Sequence, residues 1–400
     1  MKVLHFADIH ARDKDLDEIK KVCSSIIDAA KNEKPDLIVN AGDTFDNQLI
    51  KLDSESARYM MWFHSQLQEF CPVVGVLGTH SHDGKAALAL KYASVEHNIV
   101  ISETPEQLLL SDGGISPPHD INQSPLFPVD AVISMMPTPT KQFFQGDGGI
   151  RSSDEQIANA VSAIFAGFGA EAAKYDCPHI LVGHFQVGGA YISEGQQLIG
   201  RDIEISRNQI ELGNFDLVAL GHIHFHQELF QGCFYSGSAY RQDAGEVEAK
   251  GFYIHEIGQT SRFITLPCRN LIKISEDFTN DGDDLREMDS LFYGYEKEEI
   301  EGANVSIKLK FWADESNMVN VENIKKFFMS AGANRVDVRC IRGHRGNVRA
   351  ARVLELSRLR DKVLEQATLR GEQVAESVLI KADSLDQETR EQIVNAVANI

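Results

Sequence analysis

The chain has 400 residues, 43% of them hydrophobic, and a formal net charge of −20. That length exceeds one compact core of usual size and predicts a large domain with smaller additions. The acidic balance argues against a protein that coats nucleic acid by bulk electrostatics; it leaves a nuclease open, because a bound cation pair puts positive charge where a phosphate must sit.

No run approaches the ~20 apolar residues that span a bilayer. Met1 to Asp8 hold no apolar signal core, so a cytoplasmic protein is expected. Cys23, Cys71, Cys177, Cys233, Cys268 and Cys340 lie far apart in the sequence. That spacing suits free thiols in a reducing compartment better than metal-binding pairs or a disulfide framework.

In chain order, Val3 to Phe6 reads as a short strand ending at Asp8. Leu16, Ile19, Val22, Cys23, Ile26, Ile27 and Ala30 recur at helical spacing and predict a helix over 15–31 with one buried face. Leu37 to Val39 is a second strand that ends at Gly42-Asp43, a helix covers 54–70, and 73–77 is a third strand. Residues 104–128, with Ser111-Asp112-Gly113-Gly114 and Ser116-Pro117-Pro118, read as an irregular excursion. Further short apolar runs occur at 131–135, 180–182 and 217–220. Strand, loop and helix in repetition predict a layered α/β fold, in which functional groups gather at the carboxyl ends of strands.

After about Leu271 the character changes. Val305, Ile307, Leu309 and Phe311 alternate as a strand, Val321, Ile324, Phe327 and Phe328 suit a helix, and Val336, Val338 and Cys340 alternate again. This predicts a small second domain over 271–345. The tail, 346–400, reads as helical, with Val353, Leu356, Leu359, Val363 and Ala367 on one stripe and a last short helix carrying Ile393, Val394 and Val397. Between Arg335 and Lys362 lie Arg339, Arg342, Arg345, Arg349, Arg352, Arg358 and Arg360, either a solvated face or a strip that contacts DNA or a partner.

Five short motifs follow the strands: Asp8-Ile9-His10, Gly42-Asp43-Thr44-Phe45-Asp46, Gly78-Thr79-His80, Gly183-His184 and Gly221-His222-Ile223-His224. Each is weak by itself. Together they offer the carboxylates and imidazoles that two divalent cations need, without the cysteines of a structural zinc site. Asp43 is the natural bridge, because a carboxylate has two oxygens to share. Two cations ~3.5–4 Å apart stabilise the attacking and leaving oxygens of an in-line phosphoryl displacement. His5, His64, His97, His119, His179, His226, His255 and His344 fall outside these motifs and read as surface or satisfied core residues, with His226 near enough to touch a substrate.

The series resembles the calcineurin-like metallophosphoesterase superfamily. Within it, Phe6 to His10, Tyr235-Ser236-Gly237-Ser238 with Arg241, Gly245-Glu246 and Lys250-Gly251-Phe252 resemble SbcD-type nuclease subunits. The resemblance covers most of 1–270 through motifs and 271–400 by architecture only. It implies a layered β-sandwich flanked by helices, a capping domain and a helical tail. It also implies one cation held by Asp8, His10, Asp43 and His224, and a second by Asp43, His184 and His222 with Thr79 contributing. His80 would face the scissile phosphate and protonate the leaving oxygen, oriented by Asp46.

The family sequence Gly-Asn-His-Asp is here Gly78-Thr79-His80-Ser81-His82-Asp83. A Thr hydroxyl is a poorer and shorter ligand than an Asn carbonyl, so Thr79 binds weakly or a water or His82 fills the position. A shifted register would give His82 the role assigned to His80.

The resemblance further implies a manganese-activated DNA exonuclease or endonuclease in end processing, repair, recombination or replication. It would work as a homodimer formed near 54–70 and 84–97, with an SbcC-like ABC-type ATPase whose coiled coil takes Val353, Leu356, Leu359 and Val363 of the tail. A stand-alone phosphatase or cyclic-nucleotide phosphodiesterase would need no domain after about 270. A metal-impaired scaffold has only Thr79 in its favour.

Overall fold

The computed structural model describes residues 1–112, 114–118, 128–140, 144, 154–194, 196, 203–243, 245–279, 294–343, 353, 356–370 and 373–387. Arg345, Arg349, Arg352, Ile393, Val394, Val397, His119 and His344, singled out in the sequence, lie outside these residues. By internal packing the chain divides into two compact units, one of residues 1–273, 297–305 and 331–335, the other of 274–296, 306–330 and 336–400.

In the first unit, β1 (Lys2–Phe6), α1 (Leu16–Glu33), β2 (Leu37–Asn40), α2 (Glu55–Leu67), β3 (Val73–Val76), α3 (Lys85–Ala89) and β4 (Ile99–Ser102) follow one another. Helix α1 ends where Lys34 turns left-handed and returns its N–H to Ala30 O, and α2 begins at Ser54, whose side chain accepts from Ala57 N. Next come β5 (Glu106–Ser111), β6 (Gly114–Ser116), β7 (Ala131–Met136), α4 (Asp154–Ala172), β8 (His179–His184), α5 (Arg207–Glu211) and β9 (Leu217–Gly221). Strands β10 (Gln227–Phe230), β11 (Cys233–Tyr235), β12 (Gly251–Glu256) and β13 (Ser261–Thr265) complete two sheets. Their orders are β13-β12-β1-β2-β3-β4 and β10-β11-β9-β8-β7-β5-β6.

The strands alternate between two buried faces, which explains why they read as continuous apolar runs. Val3, Leu37, Val39, Val74 and Val76 from the first sheet meet Ile133, Met135, Ile180, Val182 and Ala219 from the second. The intervening Leu4, Phe6, Ile38 and Val73 pack outward on Ile19, Val22 and Ile26 of α1 and Phe63 of α2. On the far side Leu181, Val218 and Leu220 pack on Val161 and Phe165 of α4 and Ile210 of α5. The result is helix, sheet, sheet, helix: the layered, helix-flanked sandwich that the sequence predicts.

The stretch from 104 to 128 is not wholly irregular. Strands β5 and β6 pair in antiparallel register, Ser111 opposite Gly114, and β5 pairs with β7. Asp112, between the two strands, sits at φ 49°. Asp-Gly between apolar runs is a hairpin signal that the reading as a loop passed over.

Strands β14 (Leu271–Asp277), β15 (Asn304–Trp312) and β16 (Arg335–Gly343), most of whose residues belong to the second unit, form a sheet of that order. On β15 burial alternates, with Val305, Ile307, Leu309 and Phe311 inward. Helix α6 (Lys297–Ile300), of the first unit, precedes β15, and α7 (Val321–Ser330), of the second, buries Ile324 and Phe328. Helices α8 (Leu359–Arg370) and α9 (Glu376–Gln387) follow, joined by Arg360–Asp383 at 2.6 Å. Among the described residues no helix is long and apolar enough to cross a membrane.

Candidate metal centre

Strands β1, β2 and β3 run parallel in the first sheet, and β8 and β9 run parallel in the second. All five predicted motifs lie at their carboxyl ends. The loops after β1 and β2 are zipped together by Asp8 N→Gly42 O (3.0 Å), His10 N→Asp43 O (2.9 Å) and Ala11 N→Thr44 O (2.8 Å). Asp8, His10, Asp43 and His222 all have positive φ, at 52°, 46°, 48° and 92°. Left-handed backbone costs a non-glycine residue free energy, and its concentration here marks a functional constraint.

Space is equally constrained. A Cβ on Gly78 would lie 2.1 Å from Asp43 Oδ1 and 2.3 Å from Asp43 N, and one on Gly221 would lie 2.2 Å from Ala41 O. Only hydrogen at these positions lets the ligand loops approach.

The donor atoms of Asp8, His10 and His224 lie within 4.8 Å of one another, as do those of Asp43, His184 and His222. Asp43 Oδ2 joins the two groups, 3.7 Å from His10 Nε2 and 3.2 Å from His184 Nε2. Asp8 accepts from His222 N through both oxygens, at 3.1 and 3.0 Å. Thr79 stands at the edge of the second group, its Oγ1 donating to Asp43 Oδ2 at 3.2 Å and lying 3.4 Å from His184 Nε2.

The imidazoles fit cation ligands. His184 gives its Nδ1–H to Ala41 O at 2.7 Å, and His224 Nδ1 meets Glu246 Oε1 at 2.6 Å. With Nδ1 holding the proton, Nε2 carries the electron pair turned toward the cluster. Nε2 of His224 then faces Nε2 of His10 at 3.2 Å. Carboxylate and imidazole without thiolate suit manganese, iron or zinc.

Electrostatics inside the cluster are uneven. Burial pushes Asp8 up to about 6 against the pull of His184 and His224. Burial works the same way on Asp43, but the neighbouring His184 and His10 overcome it and hold the carboxyl well below its usual range. Conversely, burial lowers His184, yet Asp43 raises it to about 9. Burial, aided by His184, lowers His222 to about 3.

Other predicted positions are placed differently. His80 is exposed, with no hydrogen-bond or ring partner among the described residues. His82 instead packs its ring 4.6 Å from that of His10, and its Nδ1 meets Asp46 O at 2.9 Å. Donor atoms of His10, Asp46 and His82 form a third close group. The Asp46 carboxylate accepts from Arg12 at 2.9 Å, and no contact between it and His80 occurs among the described residues. His226 stacks on Phe263 with ring centroids 3.8 Å apart. His5, His64, His179 and His255 are buried with partners.

Three further motif residues, to which the sequence assigns no work, prove to brace the centre. Asp83 is buried and accepts from Phe45 N, Gly78 N and Thr44 N at 3.0, 3.0 and 3.3 Å, tying the loops after β2 and β3 together. Glu246 and Lys250 are buried behind His224. Gln196, on no motif, bridges His222 O (2.6 Å) and His224 N (3.0 Å). Its signal lies in the fold and not in the sequence.

Known proteins resemble this chain. The sequence model of a family described as Calcineurin-like phosphoesterase matches residues 1–226. A protein of Staphylococcus saprophyticus subsp. saprophyticus, named as the D component of the nuclease SbcCD, is 28% identical over 291 residues, covering 70% of this chain and 72% of that protein. A crystal structure aligns with 66% of this chain and 99% of its own at 14% identity and a TM-score of 0.39.

Proposed function

Because the chain belongs to the calcineurin-like phosphoesterase family, we propose that it hydrolyses DNA phosphodiesters as an SbcD-type nuclease with two divalent cations, manganese as activator. The observation that carries this reading is the sharing of Asp43 Oδ2 between two groups of donors, each drawn from both sheets. Asp8, His10, Asp43 and His224 would hold one cation, and Asp43, His184 and His222 the other, with Thr79 at its edge. When bound, the pair lowers the pKa of water toward neutrality and offsets charge on the phosphoryl oxygens.

The chain's own groups do the rest. Asp43 and Asp8, buried and anionic, fix the donors in place. His82, anchored through Nδ1 to Asp46 O, would as an imidazolium give its Nε2 proton to the departing sugar oxygen and be left neutral with Nδ1 still protonated. The sequence put His80 first in that role; the placement of His82 against His10 supports His82. DNA as substrate, and the relative whose name includes SbcCD, support a cytoplasmic site of action beside an SbcC-like ATPase. The second unit would carry the capping function over 271–345, and the tail would dock on the ATPase. Exposed Val378, Ile380 and Leu385 on α9 suit such docking. Exposed Leu49, Leu52, Tyr92 and Val95 around α2 and α3 suit a homodimer.

The test is cleavage of labelled DNA and of a small phosphodiester with manganese, magnesium or chelator, with and without the ATPase. Asp43→Ala should abolish manganese-dependent cleavage, and His82→Ala should lower the rate by ~10²-fold or more while His80→Ala stays near wild type. The opposite ranking of the two His variants would return the acid to His80. Cleavage of the small ester with DNA left intact would favour a stand-alone phosphodiesterase.

A further inference from the structure

The histidines of the centre are held from behind in different ways. His184 leans on a backbone carbonyl, Ala41 O. His224 leans on a carboxylate, Glu246 Oε1, at 2.6 Å. Glu246 is fully buried, a costly place for a charge unless it is paired and hydrogen-bonded.

It is both. Oε2 takes Lys250 Nζ at 2.8 Å, Gln242 N at 2.8 Å and Ser238 Oγ at 3.4 Å. Lys250, itself buried, also donates to His224 O at 3.1 Å and to Glu248 Oε1 at 2.6 Å. One carboxylate oxygen is therefore consumed by the scaffold, and the other is reserved for the His224 ring. Three charged side chains are spent on aiming one imidazole.

We propose that Glu246, locked by Lys250, is the positioning residue for the His224 side of the centre, setting cation affinity there while leaving the His184 side untouched. The carboxylate fixes the ring and its tautomer and makes Nε2 a stronger electron-pair donor, as acid–histidine–metal triads do. Glu246 has no contact with substrate to make; it works through His224. This inference rests on the two-cation reading of the centre.

The test is a manganese titration by calorimetry of the full chain as wild type, Glu246→Gln, His224→Ala and the double variant. Glu246→Gln should weaken one binding step ~10-fold or more and leave the other within about two-fold. In the His224→Ala background the same substitution should add nothing, a coupling that general loss of structure does not produce. Equal weakening of both steps, or effects that add across the two substitutions, would overturn the proposal. So would a Glu246→Gln protein that titrates like wild type. A wild-type chain that binds no manganese would sink the two-cation reading itself. Should Glu246→Gln not fold, Glu246→Gln with Lys250→Met, which removes the buried pair together, takes its place in the cycle.

Discussion

Asp43 is held on a left-handed backbone at φ 48°, with Gly78 pressed against its side chain. Gly78→Ala would force a methyl into the space of Asp43 Oδ1, so the carboxylate must swing out of both donor groups. Manganese-dependent cleavage should fall at least ~10²-fold, the cost expected when a reacting group is misplaced by about 1 Å. The same variant should bind manganese more weakly in calorimetry. A second prediction concerns protons. Asp43 raises His184 to about 9 from an ordinary 6.5, so near neutral pH that imidazole holds a proton before a cation binds. Cation binding should release about one proton there, and the release should fade above about 9. Calorimetry in buffers of different ionisation enthalpy reads it directly. The sign for stability follows: this group's contribution is complete below 6.5 and is lost as pH rises through about 9. At this scale the sequence showed which residue types gather, because each ligand motif sits after an apolar run. It did not show that His82 would lie inward and His80 outward, since two histidines with one residue between them in a loop carry no periodicity to tell them apart. Nor could it show Gln196, whose role rests on contacts to His222 and His224 far along the chain.

The elements differ in how plainly their sequences announce them. Strands β1, β2, β3, β8 and β9 were legible because burial on both faces leaves unbroken apolar runs. Strands β5 and β6 were hidden by Asp112-Gly113, read as a loop although the flanking strands pair as a hairpin. Helix α4 went unremarked although Ile157, Val161, Phe165 and Phe168 fall on one face, all buried. That helix gives the second sheet its outer cover. Phe165 touches Phe168, Phe185 and Phe215, and Phe165→Ala should cost ~3–5 kcal/mol by urea denaturation. Its manganese-dependent rate per folded molecule should stay close to wild type, because the residue lies on the face of β8 turned away from the ligands.

Across the whole molecule, the candidate ligands all belong to the first unit, while α8 and α9 and most of the three-stranded sheet belong to the second. Two units with separate cores need not melt together. Scanning calorimetry should show the transition of the first unit rising with manganese and falling with chelator. Saturation at about 100 times Kd corresponds to ~2.7 kcal/mol. The transition of the second unit should not move. A single transition that shifts as one would show the units to be thermally coupled. The sequence reading puts a change of character after about Leu271, where alternation and helical spacing reset; the first unit takes in 297–305 and 331–335 as well.

The candidate ligands are divided between the sheets: Asp8, His10 and Asp43 belong to one, and His184, His222 and His224 to the other. Catalytic competence is thus a property of the closed sandwich and of neither leaf. A folding intermediate with a single leaf formed would hold half a set of donors, too few to retain a cation against solvent. The chain would gain its phosphoesterase activity only at the end of folding, and a partly unfolded copy would be inert.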